Sequence, residues 1–129
     1  MLTKEDFEKA ADQQAKVEKH QLTELHGECY LRVLNGRERD AYDASVFDGA
    51  TRNVDNLSAR LLAVCLCDDK GKPLFDNPTA GAAKIGRLPS PIVERLFNVA
   101  RKLNGMGADN VEELAKNSDA TTGAGSYID

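Results

Sequence analysis

A chain of 129 residues and 14.0 kDa has room for one hydrophobic core and not for two. Its 17 Lys and Arg are outnumbered by 21 Asp and Glu, and with a net charge of -4, a pI near 5.2 and no basic run it lacks the clustered cations that neutralise phosphates, which excludes a nucleic-acid-binding face. The longest apolar run, between Arg60 and Asp68, is far short of the roughly 20 residues that span a bilayer, and MLTKEDFEKA lacks the basic-then-apolar order of a signal peptide, so the expectation is a cytoplasmic protein with no membrane contact.

Thr3 and Asp6, three apart, predict a capped helix at the start of the chain, with only Phe7 and Ala10-Ala11 as an apolar edge. Residues 1–15 therefore read as a helical arm, either a frayed end or an arm that contacts a neighbouring subunit. From Lys16 to Leu34 the strand formers Tyr30, Leu31, Val33 and Leu34, with His26-Gly27 as a turn, predict a β-hairpin. Asn35, with Glu38 three residues on, predicts the cap of the next helix, whose apolar side is Ala41, Tyr42, Ser45, Val46 and Phe47 and whose end is near Asp48-Gly49.

Thr51 to Asp55 can start a central helix, and Leu57, Leu61, Leu62, Val64, Cys65 and Leu66 leave it almost no polar face, placing it at the centre of the core. Asp68 to Pro73 reverses the chain, and Leu74 and Phe75 return to the apolar surface. Asp76 to Thr79 predicts a cap for a weak helix over Ala80 to Gly86, interrupted by Gly81. In the last long helix Ser90 is the expected cap, Pro91 takes the first turn, Val93, Leu96, Phe97, Ala100 and Leu103 make the apolar stripe, and Gly105 provides the stop. A short helix over Asp109 to Lys116 and a flexible tail over 117–129 complete the chain.

The fold class is thus mainly α with a small N-terminal β-hairpin (α+β), built on a helical pair of about 56–67 and 91–104, with a single globular domain over 16–116.

Chemistry is sparse. Cys65 and Cys67, two apart on a helix, point about 200° away from each other, which does not suit a zinc site with Cys29, His20 and His26, and buried reduced thiols are the expectation. Asp68-Asp69-Lys70-Gly71 lacks the remaining ligands of a calcium loop. Gly81 to Lys84 lacks the glycines and hydroxyl of a phosphate cradle, and no serine elbow or poised nucleophile and base is present. No catalytic residue, metal or cofactor is assigned, and the chain reads as a non-enzyme.

Three stretches in order, RVLNGRERDAYD, LSARLLAVCLCDDKGKPLF and GRLPSPIVERLFNVARKLNGM, together resemble the tail assembly chaperones of long-tailed bacteriophages and related prophage proteins. The resemblance runs from about Glu28 to Met106 and is carried by Arg39-Asp40-Ala41-Tyr42, by the Asp68, Gly71, Leu74, Phe75 turn, and by Leu103-Asn104-Gly105. It implies a non-enzymatic chaperone in the host cytoplasm, absent from the mature virion, that binds the tape measure protein and aids assembly with the tail tube protein. A homo-oligomer with head-to-tail contacts suits a rod-shaped client. The implied partner surface is Leu74, Phe75, Val93 and Phe97, residues that also fit a core. The family's second, frameshifted product implies a slippery codon run near Ala115-Lys116-Asn117. The competing reading is a small adaptor or regulatory domain that binds one protein through the hairpin edge or the arm.

Overall fold

The computed structural model describes residues 1–49 and 51–106. Its helices are α1 (Lys4–Ala11), α2 (Gly36–Val46), α3 (Leu57–Cys65), α4 (Pro78–Ile85) and α5 (Ser90–Leu103), and its strands are β1 (Val17–Leu22), β2 (Gly27–Arg32), β3 (Phe47–Asp48), β4 (Thr51–Arg52) and β5 (Leu66–Cys67). The α+β class is the expected one. The expected helix over 109–116 and the 117–129 tail lie outside the described residues.

Two capping boxes form where the sequence places them. Thr3 accepts from the Asp6 amide while Asp6 accepts from Thr3, and Asn35 and Glu38 do the same at the start of α2. The hairpin also forms, with Val17 opposite Arg32 and Leu22 opposite Gly27. Its turn is longer than expected: a 3-10 turn at Thr23–Leu25 leads into His26, whose φ of 56° is left-handed.

The apolar block gives the main departure from the sequence reading. The central helix ends at Cys65, and Leu66–Cys67 becomes β5, which pairs with Tyr30–Leu31 and makes β2 the middle of a three-stranded antiparallel sheet. A continuous apolar run carries no period, so helix and strand cannot be separated in it. Nor do Thr51 to Asp55 start that helix. Thr51–Arg52 pairs with Phe47–Asp48 as a small ribbon, and α3 begins after Asn56, whose left-handed φ of 51° an asparagine tolerates. Phe47 accordingly leaves the side of α2, is 55% exposed and lies under the Arg52 guanidinium. The buried residues of α2 are Tyr42 and Val46.

At α5 the cap position is Pro89, with no side-chain cap bond, and Ser90 is the first helical residue instead of the cap. Ile92, Leu96 and Ala100 form its buried line, while Val93, Phe97 and Leu103 flank it half-buried. Helix α3 packs against α2, α4, α5 and β2, and with Leu61, Leu62, Ala63 and Cys65 fully buried it is the centre of the core. The expected α3–α5 pair is present, with α4 as a further neighbour. By contrast, every residue of α1 is exposed.

An exposed ion pair locks the hairpin tip to α5. Arg95 donates from both terminal nitrogens to the Glu24 carboxylate at 2.8 and 2.7 Å, and this pairing holds the Glu24 pKa down at about 2. Because the folded pKa lies below the ordinary value of 4.5, the pair stabilises the fold above that pH and is lost as pH falls towards 2. Urea midpoints should therefore drop between about pH 5 and about pH 2.5, and Arg95→Ala should make the drop shallower. An equal drop in both proteins would assign acid sensitivity elsewhere.

Candidate functional site

Four segments enclose an apolar groove of about 590 Å³: α2, the Asn53–Asn56 stretch with α3, the Pro73–Asp76 return, and α4. Its apolar lining comes from small or aromatic side chains, chiefly Ala41, Tyr42, Ala63, Val64, Phe75 and Ala82, with Glu38, Asp55, Arg60 and Asp76 among the charged residues that also border it.

The return that forms one wall is shaped by the Asp68 turn. Asp68 Oδ1 accepts from the amides of Lys70 and Lys72 at 2.8 and 2.9 Å, which lowers its pKa, and Gly71 takes φ of 86° against Ala15. The Leu74 amide then bonds the Leu66 carbonyl at 3.0 Å, fixing the exit of the turn on β5. Phe75 follows and packs against α4 at Gly81, where a Cβ would stand 2.7 Å from the Phe75 ring. The glycine that weakens α4 in the sequence is thus the seat of the aromatic wall.

The groove floor contains a buried charge. Arg32 on β2 is 6% exposed; its Nε donates to the Val64 carbonyl at 2.9 Å and its Nη1 to both Glu38 oxygens at 2.9 and 2.8 Å. Glu38 at the same time accepts from the Asn35 amide at 2.9 Å as the capping-box partner. Arg60, on the α3 wall, donates only to the backbone carbonyls of Asp55 and Asn53, at 3.0 and 2.9 Å. Arg32 is a site residue that sequence reading passed over: within CYLRVL it is one polar residue in a strand, on the face opposite the core residue Leu31, and nothing in the local pattern marks it for burial.

Of the four residues assigned to partner binding, the structure brings one to the groove. Phe75 lines it. Leu74, between two lining residues, is 54% exposed and forms no part of the lining. Val93 and Phe97 are on α5, which does not border the groove; both pack half-buried on the core, with Arg101 over the Phe97 ring at 4.8 Å.

Nucleophilic chemistry has little footing here. Burial pushes the Cys65 thiol to about 12 and the Cys67 thiol to about 11, so both stay protonated at neutral pH. Among the described residues no group of three or more His, Cys, Asp or Glu could hold a metal, and no helix is long and apolar enough to cross a membrane.

The Leu103-Asn104-Gly105 end of α5 ties the groove floor to the rest of the fold. Asn104 Oδ1 accepts from the Leu34 amide at 2.7 Å, and its Nδ2 donates to the carbonyls of Arg32 and Ala100 at 3.3 and 3.0 Å. Gly105 follows at φ of 65°, the left-handed stop expected of it.

Comparison with protein-family descriptions gives no match, and comparison with curated proteins gives none either. Among solved structures, the tail assembly chaperone of bacteriophage HK97 aligns with a TM-score of 0.52 over 75% of this chain and 95% of that one, at 16% identity. The chain shares the fold of that tail assembly chaperone.

Proposed function

We propose that this protein is a non-enzymatic tail assembly chaperone of a phage or prophage, acting in the bacterial cytoplasm and absent from the finished particle. The observation that carries the reading is the fold shared with the HK97 tail assembly chaperone across nearly all of that chain, and the three stretches that resembled the family in sequence fall inside the folded body. The client is the tape measure protein, a long helical partner whose apolar stripe meets the groove beside Phe75 and its Leu74 shoulder, ahead of assembly with the tail tube protein. Val93 and Phe97 form a second strip in the proposed contact set. Contacts of this size are weak singly and strong when many copies line one rod.

Co-expression with the long, helix-rich reading frame that neighbours this gene tests the proposal. The client should stay soluble and co-purify with many copies of the chaperone. Leu74→Glu changes an exposed residue, so it should cut client recovery about tenfold or more while leaving the melting transition in place. A client equally soluble alone, with no co-purification, returns the chain to the adaptor reading.

A further inference from the structure

The two ends of the α2–α3–α4 groove repeat one arrangement, an exposed apolar residue close to a carboxylate. Val54 precedes Asp55 and Leu74 stands two residues before Asp76, each apolar side chain being 54% exposed. Asp55 and Asp76 both border the groove, both are exposed, and neither has an ion-pair partner among the described residues. Helix α4 separates them. Asp76 lies just before its start, whereas Asp55 adjoins Asn56, whose Nδ2 donates at 2.9 Å to the carbonyl of Ala82 in its second turn. The carboxylates are thus on the order of 10 Å apart, about two turns of a helix.

The positive charges of the groove are turned inward. Arg32 is buried on Glu38 and the Val64 carbonyl, and both terminal nitrogens of Arg60 are held by backbone carbonyls. Among the lining residues three carboxylates, Glu38, Asp55 and Asp76, stand against these two guanidiniums, and there is no lysine. Asp55 and Asp76 each precede a helix start, whose partial positive charge of about half a unit offsets the carboxylate only in part. What faces solvent is an apolar trough with negative charge at either end.

We propose that the groove takes an amphipathic helix of a different protein, one with Lys or Arg beside its apolar stripe about two turns apart. The choice of a different protein as occupant rests on the chaperone reading above. Long cationic side chains suit both ends: their methylene stems lie along Val54 and Leu74 while the charged heads reach Asp55 and Asp76. Neither end of this chain has that chemistry. In α1 the ring of Phe7 is flanked by Asp6 and Glu8, and the stretch after Met106 sets Asp109, Glu112, Glu113, Asp119 and Asp129 against Lys116 alone. Either segment would bring carboxylate to carboxylate at the rim. Because exposed ion pairs add little strength individually, the rim selects among helices and the apolar trough holds the one selected.

Anisotropy titrations of the full chain with two labelled synthetic peptides test this. Both peptides are about 18 residues long, enough to form a helix, and share one leucine and alanine stripe; one has lysines along the edges of the stripe and the other glutamates. The lysine peptide should bind about tenfold more tightly at low salt, and its advantage should shrink as salt is raised. Asp55→Asn together with Asp76→Asn should remove most of that advantage without moving the melting transition, since both side chains are exposed and unpaired. Ala83→Trp, which fills the trough from an exposed position on α4 without changing its charge, should weaken both peptides about tenfold or more. Equal binding of the two peptides, a preference for glutamate, no binding of either, or a lysine preference that survives the double asparagine variant would overturn the proposal. Client co-expression reads out separately. A soluble client with no lysine preference ends this proposal and keeps the chaperone, whereas a lysine preference with no client rescue keeps the cationic-helix site and returns the chain to the adaptor reading.

Discussion

Asn104→Ala should cost about 3 kcal/mol of folding stability, measured by urea unfolding. The substitution removes the acceptor of the Leu34 amide, on a residue 7% exposed, and a buried donor left unpaired carries its full desolvation cost. The Arg32 carbonyl loses its Nδ2 donor in the same step, whereas the Ala100 carbonyl keeps the Asn104 backbone amide at 3.1 Å. Asn104→Asp separates the contributions. It preserves an acceptor for Leu34 but turns an oxygen towards the Arg32 carbonyl, so it should recover only part of the loss. Full recovery by Asp would mean that the Leu34 bond accounts for the whole effect, and an Ala variant as stable as the wild type would remove the bridge from the account of the fold.

Glu38→Ala should be the next most damaging change, at about 3 kcal/mol, because it leaves the buried Arg32 charge with a single carbonyl partner and takes the reciprocal half of the α2 capping box with it. Glu38→Gln retains a cap acceptor and one uncharged bond, so it should cost distinctly less. Removing the charge at its source is milder again: the pair Arg32→Met with Glu38→Gln should be more stable than Glu38→Ala alone, since a well-filled apolar site needs no counter-ion. A double variant worse than the single would show that Arg32 contributes packing along its stem more than it demands a partner.

What could be read from the sequence was what depends on near neighbours. The Thr3–Asp6 and Asn35–Glu38 boxes span three residues each, the Asp68–Gly71 turn four, and Gly105 needs only its own backbone freedom; all of these were legible. The end of α3 was not, because Leu66 and Cys67 are as apolar as the helix before them and become a strand only through β2, more than thirty residues upstream. Glu38 was visible as a cap, but its second partner Arg32 was not, since nothing local marks a guanidinium that will be buried. Asn104 stood out in a motif, yet its purpose lies with Leu34. The groove is the extreme case. Four separate segments shape it, and of the residues assigned to binding only Phe75, the aromatic that follows a strong turn, fell on its wall. Val93 and Phe97 share the spacing of core residues, and spacing cannot say how deeply each is covered.

The long-range ties made by α5 and its C-cap bear on how the chain folds as it is made. Arg95 bonds Glu24 across 71 positions, and Asn104 bonds Leu34 and Arg32 across 70 and 72. The β1–β2 hairpin and the caps can form early from local contacts, but β2 waits for its clamp until nearly the last described residue has been synthesised. A nascent chain stopped before Asn104 would therefore expose the apolar faces of α3 and β2 on the ribosome, and the body would close in one late step once α5 has emerged.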